Sequence, residues 1–120
     1  MATSQVEVIV WLTPSQTGDF LLQAPVTLNA AFRDPILKTL LDPSNVQFWS
    51  GVPGNLTHVT YPTAPALPLQ PIVKQGVGLY SQLIAPSSCG KWMMQAVAQD
   101  ASGNEEGIGT MQITVYDTGA

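Results

Sequence analysis

The sequence predicts an all-β fold, an antiparallel two-layer sandwich of about seven to eight strands. Three observations predict it: β-branched and aromatic residues recur in short alternating runs, Pro, Gly, Asn and Asp separate these runs, and no segment shows a sustained helical period. The chain has 120 residues, 45% of them apolar, which is enough to bury one core without a metal or a disulfide. We therefore expect one domain over residues 1–120.

The first strand is predicted over Val6–Leu12, a nearly unbroken apolar run that Thr13-Pro14 brings to an end. We interpret residues 1–22 as an N-terminal strand and connection with a role in assembly. A second strand follows Pro25 and alternates in the manner of a half-buried strand. Its inward positions are Val26, Leu28, Ala30 and Phe32.

The middle of the chain alternates between strands and proline-rich connections. Asp34-Pro35 and Asp42-Pro43 enclose the apolar segment Ile36–Leu41, for which one helical turn and a packed loop both remain open. A strand that begins at Val46 and a strand over Leu56–Tyr61 flank a turn. Pro62–Pro71 then holds four prolines, which predicts an extended connection and excludes a central strand.

The last part of the chain predicts four more strands, separated by turns that contain glycine. They are placed at Ile72–Lys74, at Leu79–Ala85, from Trp92 to Ala98 and up to Val115. The inward positions of the alternating strands predict a single core. Its members are Phe32, Phe48, Tyr80, Trp92, Met94, Ile113 and Val115.

Five segments share a pattern with a known kind of domain. They are Val26–Asp34, Asp42–Phe48, Gly78–Tyr80, Gly90–Trp92 and Met111–Val115. Together they resemble the small immunoglobulin-like domains of bacteriophage structural proteins and of some bacterial surface proteins. The resemblance implies an immunoglobulin-like antiparallel sandwich, and a non-enzymatic structural component of a virion.

Composition narrows the classes of partner. Only 10% of the residues are charged, so the surface is poorly protected against association, and we expect many copies or a homo-oligomer. The four basic residues are scattered, which argues against nucleic acid, and no stretch is long enough to span a membrane. The N-terminus shows no signal peptide. We expect synthesis in the host cytoplasm and a final place in the virion.

Catalytic and metal-binding chemistry is not predicted. The single histidine, His58, has no acidic neighbour in the sequence, and nothing local prepares Cys89 as a nucleophile. The acidic turn from Asp100 to Glu106 carries oxygen ligands of the kind that calcium prefers, but Asp and Asn beside Gly103 are first of all turn formers. We therefore expect no enzyme, no cofactor and no metal.

Partner binding is predicted at Val8, Val10, Trp11 and Trp49. The two tryptophans fall opposite the core-facing positions of their strands, where they either contact a partner or pack at an edge of the sandwich. The functional hypothesis is a capsid decoration protein or a neck or tail accessory that binds capsid or other virion proteins. The alternative is a secreted or cell-surface immunoglobulin-like adhesion module that binds carbohydrate or protein.

Overall fold

The structure is a computed structural model that describes residues 6–13, 19–21, 25–62 and 70–116. In these ranges the chain forms nine strands and no helix. The strands are β1 (Glu7–Thr13), β2 (Asp19–Leu21), β3 (Val26–Arg33), β4 (Asn45–Val52), β5 (Asn55–Tyr61), β6 (Val73–Gly76), β7 (Leu79–Ile84), β8 (Gly90–Gln99) and β9 (Glu105–Tyr116).

Two sheets form the layers of the sandwich. The four-stranded sheet has the order β1-β3-β7-β6, and the five-stranded sheet has the order β2-β9-β8-β4-β5. All neighbours are antiparallel except β2 and β9, which run parallel. The all-β sandwich predicted from the sequence is therefore confirmed.

Two details of the strand prediction are wrong. The count is nine because β2, with three residues, is too short to show an alternating pattern of its own. The prediction of antiparallel pairing is wrong for β2. This strand follows β1 in the sequence but lies in the other sheet, where it runs parallel to β9. A sequence pattern reports the period of a strand and says nothing of its direction, so this parallel pair was not predictable.

The core lies between the inner faces of the two sheets. Along β3 and β8 the buried residues alternate with less buried ones, as expected for strands that cover a core on one face. All seven predicted core residues are buried, which confirms the prediction. Phe32 and Tyr80 meet edge to face with ring centroids 5.5 Å apart, an arrangement that aromatic rings prefer.

The segment between the two Asp-Pro pairs contains one helical turn, the first of the two alternatives left open by the sequence: the backbone N–H of Lys38 donates to the carbonyl oxygen of Asp34 at 2.9 Å. Pro35–Leu37 form a turn in which the backbone N–H groups of Ile36 and Leu37 both donate to Oδ1 of Asp34, each at 2.8 Å. The side chains of these two residues are 86% and 73% exposed. The Asp34 carboxylate caps the start of this turn, and the packed loop that was the other alternative is not formed by Ile36 and Leu37.

The sandwich closes where β1 lies against β9. The backbone N–H of Val6 donates to the carbonyl oxygen of Glu106 at 3.1 Å. A Cβ at Gly107 would overlap the carbonyl oxygen of Val6, and a Cβ at Gly109 would lie 2.9 Å from the carbonyl oxygen of Val8. Only glycine at these two positions allows the backbones of the two sheets to come this close.

Replacing Trp92 by Ala tests the core. Its ring is buried, and its indole N–H donates to the carbonyl oxygen of Ser88 at 2.9 Å. We expect the variant to lose about 3–5 kcal/mol of unfolding free energy in denaturant titrations. Lys91→Ala, a change at the exposed neighbouring position, is the control and is expected to stay within about 0.5 kcal/mol of the parent. Equal losses for both variants would contradict this packing.

Candidate interaction surfaces

The predicted partner-binding residues of β1 divide between its two faces. Val8 and Val10 are half-buried and pack against the core. Ile9 and Trp11 point the other way, onto the outer face of the four-stranded sheet, and Trp11 is 41% exposed. The outward orientation predicted for Trp11 therefore agrees with the structure. Contact with a partner stays a prediction for all three of the proposed β1 residues.

The outer face of the four-stranded sheet carries large apolar side chains on three of its four strands, β1, β7 and β6. The pairing of β1, β3, β7 and β6 places them on one side of the sheet. We call this set the apolar face; its members are Ile9, Trp11, Val73, Leu79 and Leu83. All except the partly buried Leu79 are at least 38% exposed. β3, which lies between β1 and β7, presents small and polar side chains on this face, so the set forms one group on β1 and another on β7 and β6. Single scattered apolar residues are normal on a protein surface, but groups of large apolar side chains on one sheet face indicate a contact surface.

The charges at one end of the apolar face are paired with one another. The carboxylate of Glu7 forms ion pairs with Arg33 and with Lys38, whose Nζ lies 2.6 Å from Oε2. Hydrogen bonds from these two cations hold the pKa of Glu7 below its usual value. Each side chain is partly exposed, so the contribution to stability is small. The functional consequence is that Glu7 presents no unpaired negative charge to a partner.

Trp49 lies on the outer face of the other sheet, so the two outward tryptophans do not belong to one surface. Its indole stacks on the imidazole of His58 in the paired strand β5, with centroids 4.3 Å apart and ring planes 22° apart. Its Nε1 donates to Oε1 of Gln47 at 3.2 Å. The alternating pattern of each strand does not predict this pair. Counting back from the turn at Pro53-Gly54 would have found it, because opposite residues of a hairpin share a face.

His58 and Cys89, for which no catalytic role is predicted, lie far apart in the structure. His58 faces Trp49, which in turn faces Gln95 in β8. Gly90, the residue after Cys89, lies five positions along β8 from Gln95, a distance of about 16 Å at the rise of a strand. Cys89 is an exposed free thiol. A hydrogen bond between the thiol and the imidazole is therefore excluded by distance.

The Asp100 carboxylate of the acidic turn accepts hydrogen bonds from within the turn. Oδ1 of Asp100 accepts hydrogen bonds from the backbone N–H groups of Ser102 and Asn104, each at 2.9 Å. These bonds lower the pKa of Asp100, with the bond from Asn104 as the largest cause. Within the described ranges, no three His, Cys, Asp or Glu side chains come together as a metal site. The described residues also contain no helix that is long and apolar enough to cross a bilayer.

Asp42 is a further carboxylate with several partners. Its Oδ2 accepts from Nζ of Lys74 at 2.9 Å, and its Oδ1 accepts from the backbone N–H of Gly78 at 2.8 Å and from the hydroxyl of Tyr80 at 3.1 Å. The bond from Lys74 is the largest cause that lowers the pKa of Asp42. Burial, together with the bond to Asp42, raises the pKa of Tyr80. This cluster fixes the Asp-Pro corner to β6 and β7.

Comparison with known proteins informs the fold. No protein-family model and no curated protein matches the sequence. Among solved structures, the Lin-41 filamin domain matches with a TM-score of 0.56 and 13% identity, over 89% of this chain and 91% of that one. An engineered protein matches with a TM-score of 0.51 and 14% identity over 92% of this chain, which spans only 20% of that protein. The fold is immunoglobulin-like.

The immunoglobulin-like fold agrees with the resemblance seen in the sequence. At 13% and 14% identity, however, the two matches share with this chain only its architecture. They carry nothing about a phage, so the virion context stays a prediction. The fold itself is a scaffold on which many binding functions occur, which leaves the surfaces of this immunoglobulin-like domain as the source of functional information.

The Asp42 cluster predicts a pH dependence of stability. The folded state lowers the pKa of Asp42, so its contribution is present above the unfolded value of about 3.9 and is lost as the pH falls through the folded value. When the pH is lowered from about 5 to about 2, we expect the melting temperature of Asp42→Asn to fall by less than that of the parent. Part of the loss remains, because the pKa values of Glu7, Asp34 and Asp100 are lowered too.

The control for this experiment is Glu105→Gln, which removes the same charge from an exposed position of β9. Thermal unfolding followed by circular dichroism across the pH range gives the readout. An acid-induced loss in Asp42→Asn that equals the loss in the parent would show that the Asp42 cluster does not stabilise the fold.

Proposed function

We propose that this immunoglobulin-like domain is a non-enzymatic interaction module, held in a larger assembly by its apolar face. The observation that carries the proposal is the set of large apolar side chains on the outer face of the four-stranded sheet. Burial of this face in a contact removes apolar surface from water, which is the main driving force of protein association. Trp11 is the expected anchor because tryptophan is enriched among the residues that dominate binding energy.

The fold prepares the apolar face for binding. β1 is paired with β3 along seven residues, and its start is bonded to β9. Val8 and Val10 pack inward, so in this proposal they hold β1 in place while Ile9 and Trp11 contact the partner. A strand fixed on both sides loses little conformational freedom on binding, which reduces the entropic cost of the contact.

The finer proposal is that the assembly is a bacteriophage virion, with the domain as a capsid decoration or a neck or tail accessory protein. Two sequence observations support it: the resemblance to domains of phage structural proteins, and a charged fraction of only 10%, which suits a surface covered by neighbours. In this proposal the partners are capsid or other virion proteins, and the domain is present in many copies.

The surroundings of Trp49 give less support to the alternative function, an adhesion module that binds carbohydrate. A carbohydrate site needs an aromatic ring with an open face and free hydrogen-bonding groups beside it. One face of the Trp49 indole is covered by His58, and its N–H is already bonded to Gln47. We therefore place the interaction of this domain with proteins ahead of an interaction with sugars.

Trp11→Ala tests the proposed contact. Loss of a buried aromatic anchor costs about 2 kcal/mol or more, so incorporation into particles assembled with the variant is expected to fall at least about tenfold at limiting concentration. Incorporation is measured by quantitative mass spectrometry of purified particles. The control is Ile108→Ala, which shortens a comparably exposed apolar side chain on the outer face of the five-stranded sheet.

The unfolding midpoint of each isolated variant is measured alongside incorporation, so that a loss of folding is recognised. Normal incorporation of folded Trp11→Ala would contradict the apolar face as the contact. Absence of the parent domain from purified particles would contradict the virion proposal and leave the interaction surface to be tested with another partner.

A further inference from the structure

The four edge strands of the two sheets differ in how well they are protected against pairing with another chain. The edges are β1 and β6 in one sheet and β2 and β5 in the other. β1 carries the charge of Glu7, and β9 blocks its start. β6 has four residues and a shift of register at Lys74, and β2 has only three residues. Short length, irregularity and charge are the features that prevent strand addition.

The fourth edge, β5, has none of these protections. It is seven residues long, Asn-Leu-Thr-His-Val-Thr-Tyr, without a charged residue, a proline or a glycine. Its register with β4 is unbroken from Val46–Tyr61 to Val52–Asn55. Among the described residues, no backbone hydrogen bond reaches its outer side. Because hydrogen bonds alternate between the two sides of a strand, about half of its N–H and C=O groups face this open side.

We propose that β5 pairs antiparallel with β5 of a second copy of this chain, around a two-fold axis at His58. A two-fold contact uses the same surface twice, so every residue pair must be compatible in both directions. With His58 on the axis, Leu56 faces Thr60 of the second copy and Thr57 faces Val59. No charged residue of β5 meets a like charge in this register.

The stacked pair of His58 on β5 and Trp49 on β4 favours this axis. His58 stacks on Trp49 with one face of its imidazole, at a spacing close to the distance between neighbouring strands. Pairing around His58 places the partner's His58 one strand further along the same row. The result is a row of four rings across the joined sheets, which adds an aromatic contact to the backbone hydrogen bonds.

A second copy is the occupant that the charges favour. The edge is uncharged, so it offers no electrostatic selectivity for a charged peptide, whereas two identical uncharged strands meet without repulsion. This contact goes beyond the proposed function, because it uses the edge of the five-stranded sheet and leaves the apolar face of the other sheet free. One molecule can therefore make both contacts, and each can be tested without the other.

Charge variants at the axis provide the test. In His58→Glu and in His58→Lys, a like charge opposes itself across the two-fold axis, and the stacked ring is lost. We expect sedimentation velocity over a concentration series to show a dimer for the parent, with dissociation constants raised about tenfold in each variant. Mixing the two variants places opposite charges across the axis and is expected to restore the dimer.

Thr110→Glu and Thr110→Lys are the matched controls, because Thr110 is exposed on the same face of the same sheet, in the row of His58 but three strands away. We expect both controls to dimerise as the parent does. A cysteine pair gives a second readout: in a Cys89→Ser background, His58→Cys is expected to form a disulfide-linked dimer on oxidation, and Thr110→Cys is not.

Three results would overturn the proposal: a parent that stays monomeric at the highest concentration reached, His58 charge variants that dimerise as the parent does, or a mixture of folded variants that stays monomeric. Circular dichroism confirms that each variant is folded. If a charge variant does not fold, the cysteine pair decides, and the absence of the His58→Cys cross-link would then contradict the pairing.

Discussion

The structure depends on the close approach of β1 to β9, which two glycines allow. Gly107 and Gly109 face the sandwich interior at alternate positions of β9, where a Cβ would collide with the backbone of Val6 and Val8. This contact closes one side of the sandwich and fixes which face of β1 is inside. Val8 and Val10 become part of the interior, and Ile9 and Trp11 become part of the surface. The β1 part of the apolar face follows from this constraint.

Several of the few charged side chains form ion pairs with one another. Glu7 pairs with Arg33 and Lys38, and Asp42 pairs with Lys74, so these charges stabilise corners of the fold. The outer faces of both sheets are left largely to apolar and uncharged polar side chains. An immunoglobulin-like domain of this kind is poorly protected against association, and the two proposed contacts use the two least protected places: one sheet face and one sheet edge.

The sequence was informative where alternation is strict. Buried and less buried positions alternate over residues 26–30 of β3, 92–96 of β8 and 45–50 of β4, so the core residues there and the outward position of Trp49 could be predicted. β1 is apolar on both faces, so the sequence predicted the outward position of Trp11 but proposed Val8 and Val10, which pack against the core, for the same contact. The Trp49–His58 pair depends on the register between two strands, and the role of Gly107 depends on contact with a strand about 100 residues away, neither of which an alternating pattern records.

The unfolding free energy of Gly107→Ala tests the central constraint most directly. Gly76→Ala is the reference, because a Cβ there meets only a side-chain carbon at 3.8 Å. Both substitutions reduce the backbone freedom of the unfolded chain, but only Gly107→Ala adds a clash in the folded state. A methyl group forced between β1 and β9 is expected to cost about 2 kcal/mol or more relative to Gly76→Ala in denaturant titrations. Equal stability of the two variants would show that β1 does not need the glycine contact, and would contradict the account of how this sandwich is closed.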